Sequence, residues 1–256
     1  MLIINAMSFR EFSGETREYN EIGSTNEELN RLLGIGNLEE GTVVRAGFQS
    51  AGKGYQGNRW LAEPLKNLLF SILLKPGSLT ADKAFHLSRI VSISLVETLD
   101  KQDINTSIKW PNDIFVKSRK ISGILIENSI IRNRISQSVI GVGLNVNQVK
   151  FDPGIPSPTS MCLEKGCHFD MKLLLDDFRT ALQAWYQILL EGNEKLIMDV
   201  YLNRLYLRNL MSEFSDGKSA FIASIRNVLP GGELEILVED GEVRRYGFKE
   251  IEYVQS

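Results

Sequence analysis

Histidine and cysteine are the scarcest chemical resources of this 256-residue chain, with two of each. Cys162 and Cys167 cannot build a structural zinc site alone, and His86 and His168 complete no recognisable ligand spacing, so no metal site is expected. Two cysteines read as reduced thiols of a cytosolic protein, not as a disulfide framework. Long hydrophobic runs are also missing. The longest, such as Leu68 to Leu74, fall far short of the roughly 20 residues a membrane span needs. Met1 to Tyr19 has no long apolar stretch and carries Glu11, Glu15 and Glu18, so no ordinary secretory signal is expected and a cytoplasmic location is. Excess positive charge is absent too. A net charge of −3 argues against a general nucleic-acid binder, and any anion site has to be assembled locally. Neither an internal repeat nor a low-complexity segment is present.

What remains is the composition of an ordinary globular chain, 43% hydrophobic and 24% charged. Ser24 and Glu27 form a capping-box pattern at the start of a short helix carrying Leu29, Leu32 and Leu33. Taken alone, Ser24 and Thr25 are simply caps. Thr42 to Ala46 and Leu68 to Leu74 read as strands, the second fully buried and ended by Pro76-Gly77. Ala84, Leu87, Val91, Leu95 and Leu99 place a helix over Ala81 to Leu99, with His86 as a packed or surface residue of it. Strands are expected over Ile104–Lys109 and Ile114–Lys117, on either side of Trp110-Pro111-Asn112-Asp113. Lys120 to Glu127, apolar on both faces, should lie centrally in a sheet. Ser138 to Asn145 is another buried strand, with Gly141 and Gly143 where backbone or ligand approaches closely. Asp170 caps a helix over Met171–Leu190, and a further helix runs over Glu194–Leu207. Beyond a boundary near Arg208 the pattern becomes short strands and tight turns. Ala220–Val228, Glu233–Glu239, the Asp240-Gly241 hairpin turn, Val243–Phe248 and Ile251–Val254 make a small β-barrel.

Gln49 to Trp60 is the stretch that invites chemistry: three glycines, two cations, three side-chain amides and two aromatics in a loop fed by a strand. Gly52, Gly54 and Gly57 spell Gly-x-Gly-x-x-Gly, but Pro64 and the Leu68 strand stand where a dinucleotide fold needs its helix. No Walker sequence is present either. Between Lys109 and Arg134 six cations face two acids, Asp113 and Glu127, which marks a local anion site in an acidic chain. Lys120 opens a buried strand, a poor place for a lysine unless its ammonium meets an anion. Asn145 ends another with an amide suited to a base edge. Together these point to ATP-dependent chemistry on a carboxylate.

Ser24-Thr25-Asn26, the Gln49–Trp60 loop, Lys109-Trp110-Pro111-Asn112-Asp113, Lys120 to Glu127 and Gly141 to Asn145 resemble, in that order, the motifs of biotin–protein ligases. The resemblance is strong over Ile22 to Asn147. It implies an α+β fold: a mixed central β-sheet flanked by helices in a biotin/lipoate ligase-like catalytic domain, residues 1–208, and a C-terminal SH3-like domain, residues 209–256. It implies ATP and biotin as substrates with Mg²⁺ acting through the phosphates, and a biotin carboxyl carrier domain as partner. Ser24, Thr25, Asn26 and Gln49 resemble the biotin-binding polar residues. Lys53, Gly54 and Tyr55 lie in the loop that closes over biotin and adenylate. Lys120 matches the lysine at the reacting carboxylate and phosphate. Lys109, Asn112 and Asp113 fall on the nucleotide side, Asp113 also near the incoming amine, and Trp60 and Asn145 against the adenine. The resemblance assigns catalysis to Lys120, Lys53 and Asp113, with no protein ligand for the metal.

The loop departs from the family's usual Gly-Arg-Gly-Arg-x-Gly-Arg-x-Trp, holding Lys53, Tyr55 and Asn58 at the arginine positions. Lys53 keeps charge without the bidentate fork, and Tyr55 and Asn58 remove two charges. Adenylate retention is therefore in question. Fewer than 25 residues precede Ser24, too few for a helix-turn-helix module, so a ligase without operator binding is expected, as monomer or homodimer. Two other readings stay open: a lipoate or octanoate ligase or transferase of the same superfamily, and a catalytically weak biotin or carrier-binding module.

Overall fold

The computed structural model describes residues 11–54 and 57–254. Two sheets carry the chain. The first has seven strands, β1 (Thr16–Ile22), β2 (Val43–Gln49), β3 (Leu68–Leu74), β4 (Ser107–Lys109), β5 (Asp113–Val116), β6 (Arg119–Ile131) and β7 (Arg134–Leu144). Their order is β1-β2-β3-β7-β6-β5-β4, with only β1 and β2 parallel. The helices are α1 (Thr25–Ile35), α2 (Phe85–Asp100), the short α3 (Met161–Lys165), α4 (Met171–Leu190) and α5 (Glu194–Asn203). A second, antiparallel sheet follows: β8 (Met211–Ser215), β9 (Ala220–Val228), β10 (Leu234–Val238), β11 (Val243–Tyr246) and β12 (Glu252–Tyr253), ordered β11-β10-β9-β8-β12. The expected mixed sheet with helices and a small C-terminal β domain is what the chain forms.

All seven residues of β3 are buried because both faces of the first sheet are covered. Phe70, Ile72 and Leu74 face the large core that includes α2 and α4, while Leu73 joins Leu29, Leu32, Val44 and Val139 under α1. This two-residue alternation fixes the register, since a slip of one would exchange the two faces. It also sets Ser71 on the α1 side, inside an otherwise apolar strand.

Differences from expectation lie at element ends and in elements not anticipated, β1 and α3 among them. The helix expected from Ala81 begins as a 3-10 turn over Ala81–Lys83, because Thr80 and Ala81 pair with Asn133 and Arg134 at the tip of the β6–β7 hairpin. The helix expected to reach Leu207 ends at Asn203: the backbone of Arg204 and Tyr206 pairs instead with Ile108 beside β4. Charged β1 had no apolar alternation to betray it, which suits an edge strand. Asp170 caps α4 as expected, accepting from the amides of Lys172 and Leu173.

Hydrogen bonds from two side chains, Arg89 and Trp110, help join the sheets. Arg89 of α2 is wholly buried, and its guanidinium donates to the carbonyls of Val228 (3.1 Å), Leu229 (2.6 Å) and Pro230 (3.4 Å) after β9. Its Cζ lies 4.7 Å from the Phe85 ring centroid. Burial lowers its pKa to about 10, so it stays cationic at neutral pH. The Trp110 indole donates to the Gly232 carbonyl at 2.8 Å, and Phe248 packs its ring against Phe85 and Trp110. Positive-φ Gly232 is required there, since a Cβ would meet the Phe85 ring at 2.8 Å.

His86, one turn before Arg89, is fully buried, as a packed helix residue. Burial, with a contribution from the Arg89 charge, lowers its pKa from 6.5 to about 4. The folded chain therefore excludes a proton that the unfolded chain binds below pH 6.5. Stability from this group is full above about 6.5 and is lost as pH falls towards 4. For His86→Leu, the loss of unfolding free energy between pH 7 and 5 in urea titrations should be smaller than that of the parent by about 2 kcal/mol. An equal loss in both proteins would contradict the assignment.

Candidate active site

A cavity of about 380 Å³ opens on the α1 face of the first sheet and reaches the second sheet. Its floor is glycine. Gly123 of β6 pairs with Gly143 of β7, and the Trp60 ring lies directly on both: a Cβ would stand 2.9 and 2.4 Å from it. Gly141, two residues along, admits Asn26, whose Oδ1 would be 2.3 Å from an added Cβ. Close approach was anticipated at Gly141 and Gly143; what approaches is Asn26 and Trp60.

One end of the cavity is neutral and polar. Ser24, Thr25 and Asn26 are buried at the start of α1. Gln49 Oε1 accepts from Thr25 N at 2.7 Å and from Thr25 Oγ1 at 3.0 Å. The Ser71 hydroxyl lies 2.6 Å from Asn26 Oδ1 and 2.7 Å from Thr25 Oγ1, and Asn26 Nδ2 donates to Glu127 Oε2 at 2.8 Å. These bonds fix which way each amide faces. The expected capping box does not form. Ser24 makes no side-chain cap bond, its carbonyl accepts from Glu28 N, and its side chain lines the cavity instead. Glu27 has turned to Lys53, at 2.6 Å.

The other end is charged. Lys109 and Asp113 sit opposite each other across the Trp110-Pro111-Asn112 turn, whose Trp110–Pro111 bond is cis. Asn112 lines the cavity while its Nδ2 donates to the Ile124 carbonyl at 2.8 Å. Lys120 Nζ meets Asp113 Oδ1 at 2.7 Å and lies 5.6 Å from the Trp60 ring centroid, so the buried-strand lysine does find an anion. Lys109 Nζ rests over the rings of Phe115 (4.7 Å) and Tyr253 (4.8 Å). Burial lowers its pKa, opposed by Asp113. Lys53 and Gly54 belong to a loop folded back by backbone pairing of Lys53 with Arg59 and of Gly54 with Asn58. The Glu27 hydrogen bond raises the Lys53 pKa.

The structure thus gathers Ser24, Thr25, Asn26, Gln49, Lys53, Gly54, Trp60, Lys109, Asn112, Asp113 and Lys120 around one cavity. Asn145 is not among its lining residues: its amide donates to the Thr159 carbonyl at 2.9 Å, bracing the loop before α3. Tyr55 lies outside the described residues. Sequence reasoning missed Ser71 and Glu127, which orient Asn26, and Arg59 and the C-terminal residues Lys249, Glu252 and Tyr253 of the lining. Ser71, the lone hydroxyl of an apolar strand, was a usable signal; the C-terminal residues gave none.

The profile of the Biotin/lipoate A/B protein ligase family matches residues 20–145. A "Biotin--[acetyl-CoA-carboxylase] ligase" of Paracoccus denitrificans is 30% identical over 171 residues, 63% of this chain and 69% of the relative. The chain belongs to the biotin/lipoate A/B protein ligase family. "Bifunctional ligase/repressor BirA" of Bacillus subtilis is 32% identical over 139 residues, 54% of this chain and 42% of the relative. The chain spans about half the length of the several BirA relatives it matches, 42% to 56%. Among solved structures, "Biotin protein ligase from Aquifex aeolicus in complex with biotin and ATP" superposes with a TM-score of 0.79 at 24% identity, over 97% of this chain and 100% of that one. That likeness establishes the fold of a biotin/lipoate ligase for both sheets.

The glycine floor is open to test. Gly143→Ala should expel the Trp60 ring and cost about 1–3 kcal/mol of stability. Acrylamide quenching of Trp60, in a background with Trp110 and Trp185 changed to Phe, should rise. Unchanged quenching would show that the ring does not need the bare backbone.

Proposed function

We propose that this chain joins biotin to a lysine of a biotin carboxyl carrier domain in two steps, with MgATP as co-substrate. The observation that carries the reading is the two-ended cavity. A set of neutral hydroxyls and amides at Ser24, Thr25, Asn26 and Gln49, with Lys53 held beside it by Glu27, shares one glycine floor with a cationic end at Lys109 and Lys120. Such a cavity suits a molecule with an uncharged, hydrogen-bonding head and a carboxylate tail that becomes a phosphate anhydride. The P. denitrificans relative and the Aquifex complex bear names that fit it.

In the first step a biotin carboxylate oxygen attacks the α-phosphorus of ATP. The bond from that phosphorus to the bridging oxygen of the β-phosphate breaks, and pyrophosphate leaves. In this reading Lys120 meets the attacking oxygen and the α-phosphate, its ammonium opposing the repulsion between the two anions and the charge that builds in the transition state; its place in the cavity lining beside Asp113 supports the role. Asp113 fixes that ammonium. Lys53 would leave Glu27 for the adenylate as the loop closes. In the second step the carrier's lysine amine attacks the acyl carbonyl, AMP departs, and the amine's proton must be lost; this reading gives Asp113, one of two carboxylates in the lining, the steering of that amine. Trp60 offers a flat face for adenine.

Mg²⁺ enters as MgATP. The lining offers two carboxylates, Asp113 and Glu252, the first already engaged with Lys120. That suits an ion held by phosphates and water. We assign the chemistry to residues 1–208, and to 209–256 the wall that closes the cavity. The carrier partner, the cytoplasmic location and a monomeric or homodimeric state are carried forward with this reading.

Purified protein with MgATP and biotin should label a carrier domain, and Lys120→Ala should lower biotin-dependent pyrophosphate exchange by at least about 100-fold, the size expected for losing a preorganised charge, with an unchanged circular dichroism spectrum. Near-normal exchange would remove Lys120 from this role. Labelling by lipoate in preference to biotin would transfer the chain to the lipoate branch of its family.

A further inference from the structure

The second sheet brings a lysine to the cavity. Gly247, Phe248, Lys249 and Glu250 form a tight turn, with Glu250 N donating to the Gly247 carbonyl at 3.2 Å and Gly247 N to Glu250 Oε2 at 2.6 Å. Lys249 occupies its third position at φ 66°, left-handed backbone that glycine adopts freely and a lysine does not. The turn is held in place, because the preceding Phe248 ring is packed on Phe85 and Trp110. A strained, non-glycine residue at the wall of a functional cavity calls for a reason.

Charge supplies one. Five cations line the cavity: Lys53, Arg59, Lys109, Lys120 and Lys249. Lys53 is paired with Glu27, Lys120 with Asp113, Arg59 with the Ser50 carbonyl, and Lys109 is packed over two rings. Among the described residues Lys249 has no ion-pair or hydrogen-bond partner, and it is exposed at the rim. The described part of the Gln49–Trp60 loop, meanwhile, offers two cations, Lys53 and Arg59, and both already have partners.

We propose that Lys249 binds the pyrophosphate end of MgATP, so that the C-terminal part of the chain supplies the one lining cation not already engaged among the described residues. The proposal rests on the adenylation reading. In that reading Lys120, beside Asp113, serves the reacting centre, and the exposed Lys249 at the rim is the cation left to meet the phosphates beyond it. A lysine is suited to this task, since its ammonium needs no fixed fork to follow a mobile polyphosphate.

Lys249→Gly removes the charge and relieves the backbone together, so the variant should melt no lower than the parent. Its KM for MgATP in adenylate formation should rise roughly fivefold, as for loss of one partly exposed charge-assisted contact. KM for biotin, and transfer to a carrier domain from supplied biotinyl-5′-AMP, which contains no pyrophosphate, should not change. Lys249→Arg should keep KM for MgATP within about twofold of the parent. An unaltered KM for MgATP in Lys249→Gly overturns the proposal. So does a defect confined to the supplied-adenylate step as a raised KM for the carrier, which would give Lys249 to an acidic surface of the carrier protein. Calorimetric titration with MgATP alone separates this question from the reaction. Should the parent form no adenylate, the adenylation reading fails, yet weaker MgATP binding by Lys249→Gly would still support a phosphate contact and equal binding would refute it.

Discussion

The structure depends on one buried cation. Arg89, on the helix beneath the first sheet, spends its guanidinium on three consecutive carbonyls of the turn that follows β9. Without those carbonyls the guanidinium would be a desolvated charge, and the buried Val228 would lose the hydrogen bond that Arg89 gives its carbonyl. Each makes the other tolerable, and the consequence is geometric: the second sheet is held in one orientation against the first. Trp110 adds a directional bond to the Gly232 carbonyl from within the same turn that carries Lys109 and Asp113. The turn that shapes the charged end of the cavity is thus also the turn that anchors the far wall.

The second constraint is the absence of side chains at three sheet positions. Gly123, Gly141 and Gly143 let an indole and an amide lie on bare backbone, where even a methyl group would collide. Strand glycines weaken a sheet by their entropy and missing packing. Here Trp60 and Asn26 restore the packing, and the vacated space becomes a site. Because β6 and β7 are bound to neighbours on both sides, the floor is held within the sheet.

Much of this was legible in the sequence, and the reasons differ by residue. Buried strands such as Leu68–Leu74 and the α4 stripe are unambiguous because burial on both faces, or on one helical face, leaves a periodic trace. Lys120 stood out because a lysine in a buried strand demands a counter-charge, and Asp113 provides it. Ser24 was misread locally: a capping box is a local pattern, whereas Ser24 lines the cavity and its neighbours Thr25 and Asn26 bond to side chains of β2, β3 and β6. Asn145 looked like a ligand amide, but whether it faces a cavity or a loop carbonyl is decided by the distant Thr159. The contribution of Lys249, Glu252 and Tyr253 could not be read, since nothing in a short turn announces the domain it will be pressed against. Contacts distant in sequence determine that, those of Arg89 and Trp110 among them.

The central claim is that one cavity, walled by both sheets, holds an acyl-adenylate. Hydrogen–deuterium exchange with and without a non-hydrolysable biotinyl-adenylate analogue tests it most directly. The account predicts slowed exchange in two places, the Gln49–Gly54 segment and the Gly247–Tyr253 segment, although about 200 residues separate them in sequence. Protection confined to the first segment would contradict a shared cavity, and none in either would place the ligand elsewhere.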